Sequence, residues 1–222
     1  LMEEEIYKKY SILEQLNVSR ETCLDFESFI SMLIKKNQEI NIISKKTAKN
    51  DIIRDRHILD SAQIIDFVDL NSNTISDIGA GGGMPGIVLA IMMKNLKNKM
   101  KVNLYEKSYH KSLFLKEVSK KLKLETEVIQ KDIFQSKELE SGTIMARAFK
   151  PMPIVLDLVY KNFSTYQNLI LFMGKNGKDI LEQTLKNWDF EYKEKKSLTS
   201  KNSFLLNIKN IKKKIKLKCK LF

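Results

Sequence analysis

The most constraining stretch of this chain is Asp77-Ile78-Gly79-Ala80-Gly81-Gly82-Gly83-Met84-Pro85-Gly86, which holds five of the eight glycines in 222 residues. β-Prone residues precede it (Asn73-Thr74-Ile75-Ser76), and the apolar run Ile87 to Met93 follows it as a buried helix, with Pro85 suited to the first helical turn. Glycines let the backbone turn sharply and approach a ligand closely, and a helix start offers unpaired N–H groups to an anion. A strand, a glycine loop and a helix in that order predict a nucleotide-cofactor site.

Two loop chemistries fit, because Gly81 to Gly86 also satisfies the dinucleotide pattern G-x-G-x-x-G. Asp77, two residues before Gly79, favours the other. An acid there faces the polyphosphate of a dinucleotide unfavourably, whereas S-adenosylmethionine carries an ammonium, a sulfonium and one carboxylate. Glu106 ends the next apolar strand and is placed to hold ribose hydroxyls. Either cofactor uses such an acid, so Glu106 supports the fold without choosing between them.

The pattern beyond residue 74 alternates strand and helix. Strands are expected near 74–78, 101–106, 125–130, 143–147 and 167–173, with helices near 85–96, 108–122, 151–161 and 177–187. Two last β-like runs, near 189–197 and 202–209, meet at Thr199-Ser200-Lys201 as a hairpin. Helices near 2–15, 20–36 and 51–67 precede the alternation. The fold expected is α/β: a Rossmann-like class I S-adenosylmethionine methyltransferase with a mostly parallel seven-stranded sheet, a C-terminal antiparallel hairpin and an N-terminal helical extension. A single domain over 1–222 is expected, divided into an extension (1–67), a core (74–209) and a basic tail (210–222).

A hydrophobic content of 43% can bury a sizeable core, and three prolines leave no sign of a linker. The first thirty residues lack a signal-peptide apolar run, and no apolar stretch reaches the ~18 residues of a membrane span, so a cytoplasmic protein without a membrane partner is expected. Cys23 and Cys219 suggest neither a disulfide framework nor a zinc site; Cys23 shares helical spacing with Phe26, Ile30 and Leu33 and reads as core. No metal is expected.

The net charge is +12, and lysine supplies almost all of the positive charge. Lys209, Lys212, Lys213, Lys214, Lys216, Lys218 and Lys220 form a basic C-terminal tail, either a solvated end or an RNA-contacting arm. In so lysine-rich a chain the few arginines, Arg20, Arg54, Arg56 and Arg147, mark places where a planar fork matters. Arg20 follows a helix-cap serine and reads as surface.

Several separated motifs resemble those of one family, the bacterial 16S ribosomal RNA guanine-N7 methyltransferases, or glucose-inhibited division B family. Arg56-His57-Ile58-Leu59-Asp60-Ser61 is similar to its Arg-His-x-Leu-Asp-Ser signature. The segment from Gly79 to Ile87 is similar to its glycine loop, Arg147-Ala148-Phe149 to its Arg-Ala element, and Asn37 and Asn41 to its upstream asparagines. Departures are His110-Lys111, where the family usually has two basic residues, Met173-Gly174-Lys175 in place of Leu-Lys-Gly, and Asn41-Ile42-Ile43-Ser44 in place of Asn-Leu-Thr. The resemblance spans roughly residues 37 to 175. It implies S-adenosylmethionine as cofactor, and the residues expected to hold it are Asp77, Gly79, Gly81, Gly83, Glu106 and Asp132; Asp132 follows the third strand and either accepts from the adenine amino group or is a plain loop acid. It also implies 16S ribosomal RNA or a small-subunit particle as partner, met by Arg56, His57, Lys111, Arg147 and Lys175. A monomer is expected.

The acceptor narrows by chemistry. Exocyclic amines are handled by an Asp/Asn-Pro-Pro-aromatic loop, but this chain has Arg147-Ala148-Phe149-Lys150-Pro151. Pyrimidine carbon-5 needs a thiolate, and neither cysteine falls in a strand-end loop. Guanine N7 presents a lone pair at neutral pH and needs positioning rather than a base. Arg147 is the residue expected to orient the acceptor, as the catalytic group. Asp60 either pairs with Arg56 one helical turn away or braces Arg56 or His57. Two other readings stand beside methyl transfer: a non-catalytic RNA-binding or assembly protein, and a nicotinamide oxidoreductase.

Overall fold

A computed structural model describes residues 2–16 and 18–215. The chain opens with α1 (Met2–Lys8), a 3-10 turn (Ser11–Leu16) and α2 (Arg20–Asn37). Ser19 caps α2, its Oγ accepting from Thr22 N at 3.2 Å. The stripe of Cys23, Phe26, Ile30 and Leu33 is buried as its spacing predicts.

The helix expected over 51–67 is instead four short pieces in one run: α3 (Asn50–Ile53), a π-turn (Arg54–Ile58), α4 (Leu59–Ala62) and a 3-10 turn (Gln63–Phe67). Buried Arg54 fixes the wide turn, with Nε 2.7 Å from Glu27 Oε1 and Nη1 2.7 Å from Asp51 Oδ1. Tyr10 donates to the same Glu27 oxygen.

The sheet comprises β1 (Thr74–Ile78), β2 (Lys101–Tyr105), β3 (Thr126–Ile129), β4 (Leu139–Ala146), β5 (Phe163–Met173), β6 (Trp188–Lys196) and β7 (Phe204–Lys213). Its helices are α5 (Gly86–Asn95), α6 (Tyr109–Leu122), α7 (Met152–Asn162) and α8 (Gly177–Leu185). The strand order is β3-β2-β1-β4-β5-β7-β6. Strands β1 to β5 are parallel, and β7 runs antiparallel to both β5 and β6. The order reverses between β1 and β4, and there the carboxyl ends of the strands splay into the crevice where such sheets bind ligands.

Helix α5 has no polar face: Gly86 to Met93 are all buried. One side packs on the sheet, so the other needs a cover, which α2 and the 50–67 run supply within one continuous apolar cluster. Each buried Ile, Leu or Val there contributes about 1.5–3 kcal/mol. Helices α7 and α8 pack on the opposite face with Trp188, Phe190 and Phe204 from the hairpin.

The sheet also continues past residue 209. Lys209, Lys212 and Lys213 pair with Glu191, Asp189 and Trp188 across the ladder, so the boundary expected at 209/210 cuts through β7. Lys213 Nζ lies 5.5 Å from the Trp188 ring centroid, and Lys214 donates to Leu185 O. Lys209, Lys212 and Lys213 belong to the sheet rather than to a tail. Lys216, Lys218, Cys219 and Lys220 lie outside the described residues. No helix among the described residues is long and apolar enough to cross a membrane.

Candidate active site

A cavity of about 550 Å³ opens at the carboxyl ends of β1 to β4. The loop after β1 is held by its own backbone: Gly79 N and Ala80 N both donate to Tyr105 O at 2.9 Å. Gly81 N donates to Glu106 Oε2 at 2.8 Å. At Gly81, φ is +52°, and an added Cβ would meet only Gly79 O, at 3.7 Å, before open space. That missing side chain opens the cavity. At Gly86 the reason for glycine differs, since a Cβ would lie 2.3 Å from Leu104 Cδ2 and 2.6 Å from Asp77 Oδ2.

Asp77 departs from expectation. Rather than facing a ligand, it is 1% exposed, its Oδ2 accepts from Gly86 N at 2.8 Å, and it does not line the cavity. Burial pushes its carboxyl up to about 7, partly offset by the Gly86 N–H. Asp77 ties the end of β1 to the start of α5 and so sets the loop from behind. Gly83 lies behind too, where a Cβ would meet Ile87 and Leu115.

Glu106 lines the cavity with its oxygens half engaged: Oε1 accepts from Ser108 N at 2.7 Å and Oε2 from Gly81 N. A carboxylate oxygen has two lone pairs, so each retains one for a ligand hydroxyl. Asp132, in the loop after β3, accepts from Phe134 N through Oδ1, and among the described residues its Oδ2 has no hydrogen-bond partner. Phe134 is 41% exposed and stacks on Phe149, with centroids 6.0 Å apart.

Arg147 closes the opposite wall. Its Nη2 donates to Arg56 O at 2.8 Å and lies 3.0 Å from His57 Nδ1, while Nη1 reaches His57 O and Ser61 Oγ at 3.4 and 3.3 Å. Asp60 Oδ2 lies 3.3 Å from Nη2, and the guanidinium sits over the Phe172 ring. The four N–H groups on its terminal nitrogens are thereby directed at the π-turn and α4, so Arg147 is not the free fork expected to grip an acceptor. It staples the Arg56–Ser61 segment to the end of β4. The Asp60 partner is Arg147 rather than Arg56, and Asp60 Oδ1 also accepts from Gln63, Ser197 and Thr199. Arg56 is exposed, and its contribution here is a backbone carbonyl.

A guanidinium only donates, so His57 Nδ1 is the acceptor and the proton sits on Nε2. Burial, then Arg147 and Arg56, bring the imidazole down to about 4, leaving it neutral near pH 7. Nε2 is buried without a hydrogen-bond partner among the described residues.

The family model described as GidB, rRNA small subunit methyltransferase G, matches residues 22–209. The chain belongs to the rRNA small subunit methyltransferase G family. A relative named Ribosomal RNA small subunit methyltransferase G, from Pelagibacter ubique (strain HTCC1062), is 67% identical over 211 residues, 95% of this chain and 99% of that protein. Another of the same name, from Orientia tsutsugamushi (strain Ikeda), is 33% identical over 87% of this chain and 93% of its own. Among solved structures, an Aquifex aeolicus SAM-dependent methyltransferase is similar at TM-score 0.52 and 15% identity, over 68% of this chain and 89% of that one. M. capricolum TrmK in complex with S-adenosylhomocysteine is similar at 0.50 and 16%, over 67% and 66%. These two likenesses establish the methyltransferase fold.

For this member of the family, the fold gathers Gly79, Gly81, Glu106, Asp132, His57, Lys111 and Arg147 around one cavity. Asp77, Gly83, Arg56 and Lys175 do not line it; Lys175 is exposed on the turn after β5. Sequence reasoning missed Lys107, Lys131 and Lys150, which no contrast with neighbouring lysines marked out. It also missed Ile42, carried to the cavity by Asn37, whose Oδ1 accepts from Ile42 N and Ile43 N at 2.8 and 2.9 Å. The motif asparagine therefore shapes a loop.

Proposed function

We propose that this chain moves the methyl group of S-adenosylmethionine to N7 of one guanosine in 16S ribosomal RNA. The residues present fit that cofactor: Gly81 opens the cavity, Glu106 keeps lone pairs for ribose hydroxyls, and Asp132 Oδ2 is placed to accept from the adenine amino group. When bound, the cofactor supplies a methyl group on a sulfonium centre. Gly79 lines the cavity and leaves room for the Phe149 ring, into which a Cβ would run, while Asp77 and Gly83 keep the loop in shape from behind. His57, Lys111 and Arg147 line the cavity on the proposed acceptor side, where Arg147 positions the π-turn and acts through it. Arg56 and Lys175 lie outside the cavity, within reach only of RNA running beyond it.

The observation carrying the choice of N7 is the wall after β4. Arg147-Ala148-Phe149-Lys150 offers no carboxylate or carboxamide side chain to an exocyclic amine, and Cys23 is buried in α2. His57 turns its acceptor nitrogen to Arg147, so the imidazole lining the cavity is not a free base. Of the acceptors considered, N7 asks for no proton removal; the site need only hold its lone pair in line and exclude water. We infer that one chain suffices as a monomer, since a single cavity gathers these groups, and that it works in the cytoplasm, where ribosomal subunits are made.

The test is nucleoside analysis of 16S ribosomal RNA from cells with and without this gene. Loss of one N7-methylguanosine per RNA is expected, and an unchanged content overturns the proposal.

A further inference from the structure

We propose that Lys107, Lys111, Lys131 and Lys150 form a phosphate-binding rim that carries the RNA backbone across the carboxyl ends of β2, β3 and β4, over the mouth of the donor cavity. This rests on the reading of the chain as an rRNA methyltransferase and adds where the RNA runs.

Charge is the first reason. The cavity walls carry those four lysines and Arg147 against two carboxylates, Glu106 and Asp132. S-adenosylmethionine is itself a net cation, so such a surplus repels the donor instead of holding it. A polyanion does match it.

The second reason is that these lysines are not spent within the protein. Among the described residues none of the four lies within 4.0 Å of a carboxylate oxygen, whereas Lys94, Lys101, Lys161 and Lys178 each do. Lys107, Lys131 and Lys150 are exposed and Lys111 half-buried, so their ammonium groups are available to a partner.

Placement is the third. Lys107 lies in the loop after β2 and Lys111 in the first turn of α6, Lys131 follows β3 and Lys150 follows β4, so three strand ends bring the cations to one opening. In the order β3-β2-β1-β4 they span three strand spacings, roughly 14 Å at ~4.8 Å each. A base must leave its stack to enter the cavity, so the backbone crossing this rim is single-stranded at the target.

The lysines of β7 do not compete for this role. Strand β7 has ten residues and starts beside Met173 at the cavity end of the sheet, so at ~3.4 Å per residue Lys213 lies roughly 30 Å away at the opposite end.

The experiment measures how affinity for small ribosomal subunits, purified from cells lacking this gene, depends on salt at fixed magnesium. Four proteins are compared: wild type, a variant with Lys→Gln at 107, 111, 131 and 150, one with Lys→Arg at the same positions, and one with Lys209→Gln and Lys212→Gln. Each phosphate contact adds ~0.7–0.9 to the slope of log affinity on log salt. The glutamine rim variant should therefore lose roughly 3 from the slope and bind S-adenosylmethionine no more weakly than wild type, while the arginine rim and the β7 variant keep the wild-type slope. A glutamine rim variant that keeps the slope overturns the proposal, whether donor affinity stays normal or falls; a fall assigns the lysines to the donor. A slope lost in the β7 variant and kept in the rim variant overturns it in favour of the far end. Wild-type protein that methylates none of these particles overturns the functional reading instead, and methylation by wild type separates the two failures.

Discussion

Arg147 Nη2 lies 3.0 Å from His57 Nδ1 and 2.8 Å from the carbonyl oxygen of Arg56, so one side chain from the end of β4 grips both the ring and the backbone of the π-turn. Residues far apart in sequence are thereby made into one wall of the cavity. Replacing Arg147 with lysine keeps a charge beside Asp60 and loses the fork. Hydrogen bonds to charged groups are worth about 1.5–3 kcal/mol each. A lowered melting temperature and a slower single-turnover methyl transfer are expected, with donor affinity changing less than rate. A lysine variant with wild-type stability and rate would show that the staple is idle.

The same contact sets the protonation of His57. With its imidazole brought down to about 4, the ring stays neutral through the physiological range, and the methylation rate should show no limb near the ordinary histidine value. Nitrogen-detected NMR should find the ring titrating near 4, with Nδ1 unprotonated. Arg147→Met removes one of the depressing charges while burial persists, so the pKa should rise only part of the way toward 6.5. Titration of the wild-type ring at 6.5 would contradict the assignment.

Asp77 makes a prediction of the opposite kind. Its carboxyl is pushed up to about 7 from 3.8, so between those values the folded protein binds more protons than the unfolded chain, and stability falls as pH rises through that window. Asp77→Asn keeps an acceptor for Gly86 N without the buried charge. Its stability relative to wild type should rise between pH 4 and 7 and level off above. Chemical denaturation across pH checks this, and a pH-independent difference would rule out the buried carboxyl as its source.

Two glycines of the loop should fail in different ways. Gly81→Val puts its side chain into the cavity and bears a left-handed backbone cost of roughly 1–2 kcal/mol, so a folded protein that no longer binds S-adenosylmethionine is expected. Gly86→Ala drives a methyl group into Leu104 and Asp77, so stability should fall before binding does. Calorimetry of donor binding beside melting curves separates the two, and normal donor affinity in Gly81→Val would remove this loop from the site.

The parts of this molecule legible in its sequence are those whose signals are local. Strand β1, the glycine loop and α5 announce themselves by β-prone residues, punctuation and an apolar run, and the parallel sheet follows from their repetition. Glu106 and Asp132 were found because each ends or follows an apolar strand. What escaped depends on distant partners. The π-turn at Arg54–Ile58 takes its shape from Glu27 and Arg147, neither of which is near it in sequence. Asp77 carries the right residue type, yet its burial against Gly86 is a matter of packing. The end of β7 reads as a lysine tail because only Ile211 of its last three residues is buried, and pairing with Trp188 and Asp189 makes it a strand. The lysine rim is invisible in sequence because its members come from three loops and the start of α6 in a chain full of lysine.

The most direct measurement is methyl transfer by the purified protein. Small ribosomal subunits from cells lacking this gene are incubated with S-adenosylmethionine labelled in its methyl group, and the RNA is digested to nucleosides for mass spectrometry. One labelled N7-methylguanosine per 16S ribosomal RNA is predicted, absent when Gly81→Val replaces wild type. Label at any other atom, or no label from a folded, donor-binding wild-type protein, would contradict the account.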